Sequence, residues 1–545
     1  MDLKEKVIFI SHDECDFENI SATIAKAVMQ LKENGGGTLV FEKGEYHFKK
    51  IGTTSRFFGV TNNNSCNKDI AFFIENAENI TIDANGSLFV FHDLVSPFIV
   101  TGSRNISIKN LTVDCAVHPV VSMKVAQSDE NGFKLIIDKG VSPWYIDEKS
   151  LVFKRLWGDF SGREKVFDIH ATDEFKVQFM VTGECSERHD NLPVSHVCVD
   201  AMYCDDGVYM KYRADNRHMF AFKNGSEVTT ILDGRRDLDV IVLDNSENIK
   251  ISDITVRCGI GMGIIAQFCK NIEVERFCTD MKGDGIKATL TADALHFVNC
   301  SGYLNVHDCT ITDVMDDVIN VHGIYTVLDK IDDGAVYAKL MHYEQFYFMP
   351  YKPGDTITFI NPDTLKIHSE FKVKSAVFEG LDGNYIKLEG TFTGHDLPET
   401  GMLIENPARM PDLHLYNNCF KTFPHMRISG GGKMLIENNT LENAGAALVV
   451  LDLAKYWYES GRVNHLEFCK NKMDGCNNLM GESFITVGVD GFAREETPKV
   501  HKEIKIYENE FKNLKHRAIV ISGTKDAVIY KNDFETDDKD VVSVV

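Results

Sequence analysis

The chain has 545 residues, with 58 Lys and Arg against 81 Asp and Glu and a formal charge of −23. So acidic a surface repels phosphate backbones and anionic lipid, which excludes nucleic acid and membrane surfaces as partners. Hydrophobic content of 43% excludes disorder, and no apolar run reaches the roughly 18 residues that a membrane helix needs.

The first residues, MDLKEKVIFISHDECDFEN, hold one five-residue apolar stretch followed at once by acids. That is no secretory signal, and it predicts a cytoplasmic protein, or a secreted one if a leader has been removed. Residues 17–34 place Ile20, Ile24, Ala25, Val28 and Leu31 at helical spacing, and Gly35–Gly37 is the stop. TLVFEKGEYHF then reads as strand, turn, strand.

From there one pattern recurs: two apolar residues in alternation, two polar ones, then a second short apolar pair. Its second apolar position falls at Ile82, Ile108, Ile251, Val274, Val306, Leu415, Ile436, Phe468, Ile506 and Ile529. Alternation with period two means strands with one buried face. Spacings of 21 to 23 residues recur (251 to 274, 415 to 436, 506 to 529). That length holds about three short strands and three turns, one coil of a parallel β-helix. The recurring Asn439, Asn471, Asn509 and Asn532 fit a ladder of turn residues. Only 12 prolines agree with central strands that cannot lose donors.

Two stretches break the period but keep strand-like alternation, 119–243 and 324–411. NPDT and the Asp382-Gly383 pair signal hairpins in the second. The sequence therefore predicts an all-β fold. A capping helix and first coils occupy 1–118, and an inserted antiparallel β-barrel or sandwich 119–243. Further coils follow at 244–323, a second inserted barrel at 324–411 and the last coils at 412–545. No CxxC pair occurs among the 14 cysteines, so they read as reduced, buried hydrophobes in the core.

The densest polar cluster lies beside consecutive repeats, in TADALHFVNC and DVMDDVINVHG. It holds Asp293, His296, Asp313, Asp316, Asp317, Asn320 and His322. Asp293 and Asp316 are 23 residues apart, one coil length, a spacing that stacks two carboxylates about 5 Å apart along the axis. Clustered carboxyls raise one another's pKa, which sets an acid beside a base. The plainer reading is that Asp and Asn cap solenoid turns. The calcium-loop spacing D-x-D-x-[DN]-G is absent. Adjacent strand residues face opposite ways, so Asp316 and Asp317 share a site only where the strand ends or bulges. Further candidates are Arg427 before Gly430–Gly432, the loop residues Trp457 and Glu459, and His342 and Glu344 in the second insertion. Gln267 follows a glycine run with no βαβ unit around it, so a dinucleotide loop is not read there.

TADALHFVNCSG, MDDVINVHG, LMHYEQFYFMPYKPGDTITF, LIENNTLENAGAALVV and WYESGRV together resemble the α-1,3-galactosidases of glycoside hydrolase family 110, in the same order along nearly the whole chain. The resemblance implies a right-handed parallel β-helix with inserted barrels. It implies removal of terminal α-1,3-linked galactose from oligosaccharides, blood group B-like or linear, with inversion and with no metal or cofactor. The family's catalytic aspartates match Asp293, Asp316 and Asp317. Its sugar-site neighbours match His296, Asn320, His322, His342, Glu344, Gln267, Arg427, Trp457 and Glu459. Asp316 is read as the acid, with Asp317 and Asp293 polarising the water. One departure is that CTDMKGDGIKATLTAD carries no arginine just upstream of the ADALHF block. A pectin-type lyase or polygalacturonase and a non-catalytic glycan-binding β-helix are the alternatives, and a homo-oligomer is compatible with either.

Overall fold

The structure is a computed structural model. It describes the chain outside residues 1–5, 13–14, 17, 117, 130, 141–143, 148–149, 154–164, 168–174, 183–193, 213–223, 226, 232–235, 237, 282–284, 286, 395, 422–424, 443, 453–455, 477–482, 515–516 and 537–539.

The ten repeat positions form one continuous rung-to-rung ladder. Ile82 pairs with Ile108, Ile108 with Ile251, Ile251 with Val274, Val274 with Val306 and Val306 with Leu415. Leu415 continues to Ile436, Phe468, Ile506 and Ile529. Two further rungs precede them, Ile8 on Leu39 and Leu39 on Ile82. All these pairings are parallel. A second parallel stack runs alongside, from Cys66–Glu75 through Ser96–Thr101, Ile241–Asp244, Ile264–Gln267, Leu295–Val298 and Ile319–Ile324 to Met426–Ile428 and beyond. The chain is thus an all-β parallel β-helix. One apolar core runs along it, filled by these same ladder residues.

Each turn between rungs needs a partner for its backbone. Asn439, Asn471 and Asn509 supply it, each accepting on Oδ1 from the backbone N–H of the previous rung's Asn and donating from Nδ2 to a strand carbonyl. Asn532 ends the series and Asn418 begins it.

The first coil is closed by the helix Ile20–Glu33, whose Ile20, Ile24, Ala27, Val28 and Leu31 are buried. Ala27, not Ala25, completes the apolar face; Ala25 is exposed. Gly35 ends the helix at φ +79°, a conformation with no Cβ penalty for glycine.

Both insertions are antiparallel closed barrels. The first uses strands from Val120–Ser128 to Glu227–Ile231, with a three-stranded sheet (Trp144–Asp147, Ser150–Phe153, Lys165–Phe167) beside it. The second runs from Thr326–Asp332 to Leu403–Glu405 around Phe359, Phe371, Ile386 and Leu388. The insertions explain the long jumps in the ladder, 108 to 251 and 306 to 415.

The expectation of uniformly reduced cysteines is corrected at one pair. Cys115 and Cys258 are disulfide-bonded, with Cα atoms 5.4 Å apart. They follow Val113 and Val256, which are register partners on neighbouring rungs. The first insertion separates them by 143 residues, which hid the pairing from the repeat spacing. Cys269, Cys300, Cys309, Cys469 and Cys476 are buried and lie outside this disulfide. Cys185 and the side chain of Cys198 lie outside the described residues. No described helix is long and apolar enough to cross a membrane.

Candidate functional site

The second stack carries a row of polar residues at one corner. Leu295 pairs with Ile319 and Ile319 with Met426, so Asp293 lies over Asp317 and His296 over Asn320 over Arg427. The Ala294 N–H donates to the Asp317 carbonyl at 2.9 Å. The register offset is 24 residues, which corrects the expected stacking of Asp293 on Asp316. Asp316 stands one residue earlier, at the rim, with its side chain 34% exposed; those of Asp293 and Asp317 are 5% and 8% exposed.

These residues line a pocket of about 130 Å³ with Asn62, Arg236, Met262, His425, Trp457 and Glu459. Its walls come from distant segments. Glu459–Ser460 pairs antiparallel with Gly323–Ile324, which draws the 457–460 loop onto the solenoid. Gln345 donates to the Trp457 carbonyl at 2.6 Å, and the His342 ring lies 4.3 Å from the indole. Asn62 donates from Nδ2 to Glu459 Oε1 at 2.8 Å. Arg236 follows the first barrel, and its Nη2 donates to Asp316 Oδ2 at 2.6 Å.

The floor carries a chain of hydrogen bonds whose proton order is fixed once both rings are neutral. His322 Nδ1 is 2.7 Å from the Gly323 carbonyl, which can only accept. His322 Nε2 lies 2.9 Å from His296 Nε2, and His296 Nδ1 lies 2.6 Å from Asp293 Oδ2. Burial holds both imidazoles at about 4, hence neutral near pH 7. A neutral His322 that donates from Nδ1 accepts at Nε2. His296 therefore donates from Nε2 and accepts at Nδ1, and Asp293 must supply the proton on Oδ2. Burial first, then the Asp316 charge, push the Asp293 carboxyl well above the ordinary range, in agreement.

Asp317 is also pushed up by burial, but Arg427 opposes the shift. Its Oδ1 is 3.1 Å from His425 Nε2 and its Oδ2 is 3.4 Å from Arg427 Nε. Of two stacked buried carboxyls, the one beside the guanidinium is the better anion. The pocket thus holds Asp293 with its carboxyl pushed up, Asp317 beside the Arg427 guanidinium that opposes the same push, and an ion-paired Asp316. Buried Asn320 Oδ1 and Arg427 Nη1 have no hydrogen-bond partner among the described residues, which leaves an acceptor and a donor open for a polar ligand.

Eight of the residues singled out in the sequence therefore share one pocket: Asp293, Asp316, Asp317, His296, Asn320, Arg427, Trp457 and Glu459. His322 sits directly behind His296, and His342 behind Trp457. Glu344 is buried beside the pocket, where its charge acts on Arg236. Gln267 does not line it. Its amide is spent on the 59–61 loop, accepting from the Thr61 N–H and donating to the Gly59 carbonyl and Asp244. Asn62, Arg236 and His425 were missed, because they sit in connections without period. The ADALHF block has no arginine upstream, yet an arginine reaches the pocket from the first insertion.

No family model matches the chain. It is 26% identical over 509 residues to α-1,3-galactosidase A of Shewanella woodyi, covering 92% of this chain and 81% of that one. It is 28% identical over 504 residues to α-1,3-galactosidase B of Bacteroides thetaiotaomicron, covering 90% and 79%. Relatives named α-1,3-galactosidase thus match nearly the whole chain, in keeping with the resemblance seen in the sequence. The exopolygalacturonase of Thermotoga maritima superposes at a TM-score of only 0.39, with 10% identity over 97% of this chain and 92% of that one.

Proposed function

We propose that this glycosidase removes a terminal α-1,3-linked galactose from the non-reducing end of an oligosaccharide, with inversion at the anomeric carbon. The observation that carries this reading is the division of the three aspartates, two stacked on the floor and one at the rim. A pocket this small admits one sugar ring, so the rest of the glycan leaves through the mouth. The leaving oxygen then lies toward Asp316, and the opposite face of the ring toward Asp293 and Asp317.

In this reading Asp316 gives its proton to the leaving oxygen as the C1–O bond breaks. Asp317 takes a proton from the water that attacks C1. Asp293 keeps its Oδ2 proton, donated to His296 Nδ1, and offers Oδ1 to the water's second hydrogen, so two floor groups orient one nucleophile without two adjacent anions. Trp457 supplies an apolar wall for the ring, and Asn320 and Arg427 supply polar partners for its hydroxyls. The Arg236 guanidinium, 2.6 Å from Asp316 Oδ2, orients that carboxyl at the mouth.

Asn variants of each aspartate test the roles on a Galα1-3Gal disaccharide and on an aryl α-galactoside with a good leaving group. Loss of an acid or base costs about 10²–10⁴-fold. Asp316→Asn is expected to lose the disaccharide reaction and keep most of the aryl reaction, while Asp317→Asn loses both. Selective rescue of Asp317→Asn by the good leaving group would overturn the assignment.

A further inference from the structure

A second, larger concavity lies between the second barrel and the last coils, with a volume of about 800 Å³. Five cations line it: Lys366, Arg462, Lys499, Lys502 and Lys525. Glu370 and Glu405 are its two carboxylates. In a chain of charge −23 such a local excess of positive charge is out of keeping with the rest of the surface.

Arg462 is the under-satisfied member. Its Nε and Nη2 are buried and have no hydrogen-bond partner among the described residues. The Glu405 carboxylate stands 3.9 Å from Nε, beyond hydrogen-bond reach. Burial also pushes the Glu405 carboxyl up, which weakens it as a counter-charge. A guanidinium with open N–H groups matches a sulfate or carboxylate oxygen pair. Lys499 already donates to the Val545 carbonyl, so Lys366, Lys502 and Lys525 carry most of the remaining field. Gly431 and Asn464 form part of the wall, where Asn464 Nδ2 donates to the Gly431 carbonyl at 3.0 Å.

The groove and the aspartate pocket share a segment. Glu459 lines the pocket and Arg462 the groove, and three residues span at most about 10 Å. We propose that the groove binds an anionic substituent of a glycan, a sulfate ester or a carboxylate, on a unit beyond the terminal sugar. As a substrate feature this rests on the glycosidase reading; as a binding site it stands apart from it.

Calorimetry at low salt with sulfated lactose, sialylated lactose and plain lactose tests the site without turnover, since none is an α-galactoside. At least one charged sugar is expected to bind roughly tenfold more tightly than lactose, and to lose that margin at high salt. Which one binds assigns sulfate or carboxylate. Lys502→Glu with Lys525→Glu is expected to abolish the margin, with a thermal melt as the folding control. Arg462→Lys is expected to lower it by weakening bidentate contact. Equal affinity for charged and neutral sugars, or a margin that survives the charge reversal in a folded protein, would overturn the proposal. Turnover of an aryl α-galactoside by the unaltered chain separates the two claims. Turnover without charged-sugar binding removes only the groove, and binding without turnover removes only the hydrolase reading.

Discussion

His296 Nε2 stands 2.9 Å from His322 Nε2, so of these two neutral rings one donates and the other accepts. The Gly323 carbonyl decides which, because it claims the His322 Nδ1 proton. The order of protons then runs from a backbone oxygen to a carboxyl in the pocket. Long-range proton–nitrogen spectra, assigned with His296→Gln and His322→Gln, are expected to show His322 protonated on Nδ1 and His296 on Nε2 at neutral pH. An imidazolium at His296 would mean that Asp293 is an anion. His322→Ala leaves a buried donor unmet and is expected to cost about 1–3 kcal/mol of stability.

Arg236 orients the rim carboxyl through its 2.6 Å contact with Asp316 Oδ2. With Asp316 as the acid, Arg236→Gln is expected to lower kcat/KM on Galα1-3Gal by about 10- to 100-fold, with a smaller loss on the aryl α-galactoside. An equal loss on both substrates would contradict the acid role.

Asn471 is fully buried and bonds the rungs on both sides of it. Asn471→Ala leaves the Asn439 N–H and the Ile436 carbonyl without partners. The expected loss is about 1–3 kcal/mol, read as a lower Tm. An unchanged Tm would mean that water replaces the side chain at no cost.

Asp452 accepts from the Tyr325 hydroxyl at 2.8 Å, and burial raises its carboxyl from 3.8 to about 7. Between those values the native state binds a proton that the unfolded chain has released. Stability from this group is therefore full below about pH 4 and lost as pH rises toward 7. Asp452→Asn removes the dependence, so the Tm of the variant relative to the parent is expected to rise across that window. A flat difference would contradict the buried, raised carboxyl.

The solenoid was legible because its rungs are local. Each of the ten apolar ladder positions announces itself within a few residues of alternation, and the Asn ladder does the same. The clustering of the pocket corner was legible for the same reason, since Asp293, His296, Asp317 and Asn320 ride on consecutive rungs. The pocket walls were less so. Asn62, Arg236 and His425 arrive from connections whose geometry depends on where two barrels leave the solenoid. The one-residue error in stacking, Asp316 for Asp317, came from assuming a uniform 23-residue coil where this one uses 24. Gln267 was misplaced because a polar residue at a strand end can serve a neighbouring loop as well as a ligand. The Cys115–Cys258 bond spans an insertion, which no local pattern crosses.

The most direct measurement is the anomer first released from Galα1-3Gal, followed by proton NMR before mutarotation. Inversion at a pocket with a rim acid and a floor base gives β-galactose first. Initial release of α-galactose, or no galactose at all, would contradict the proposed reaction.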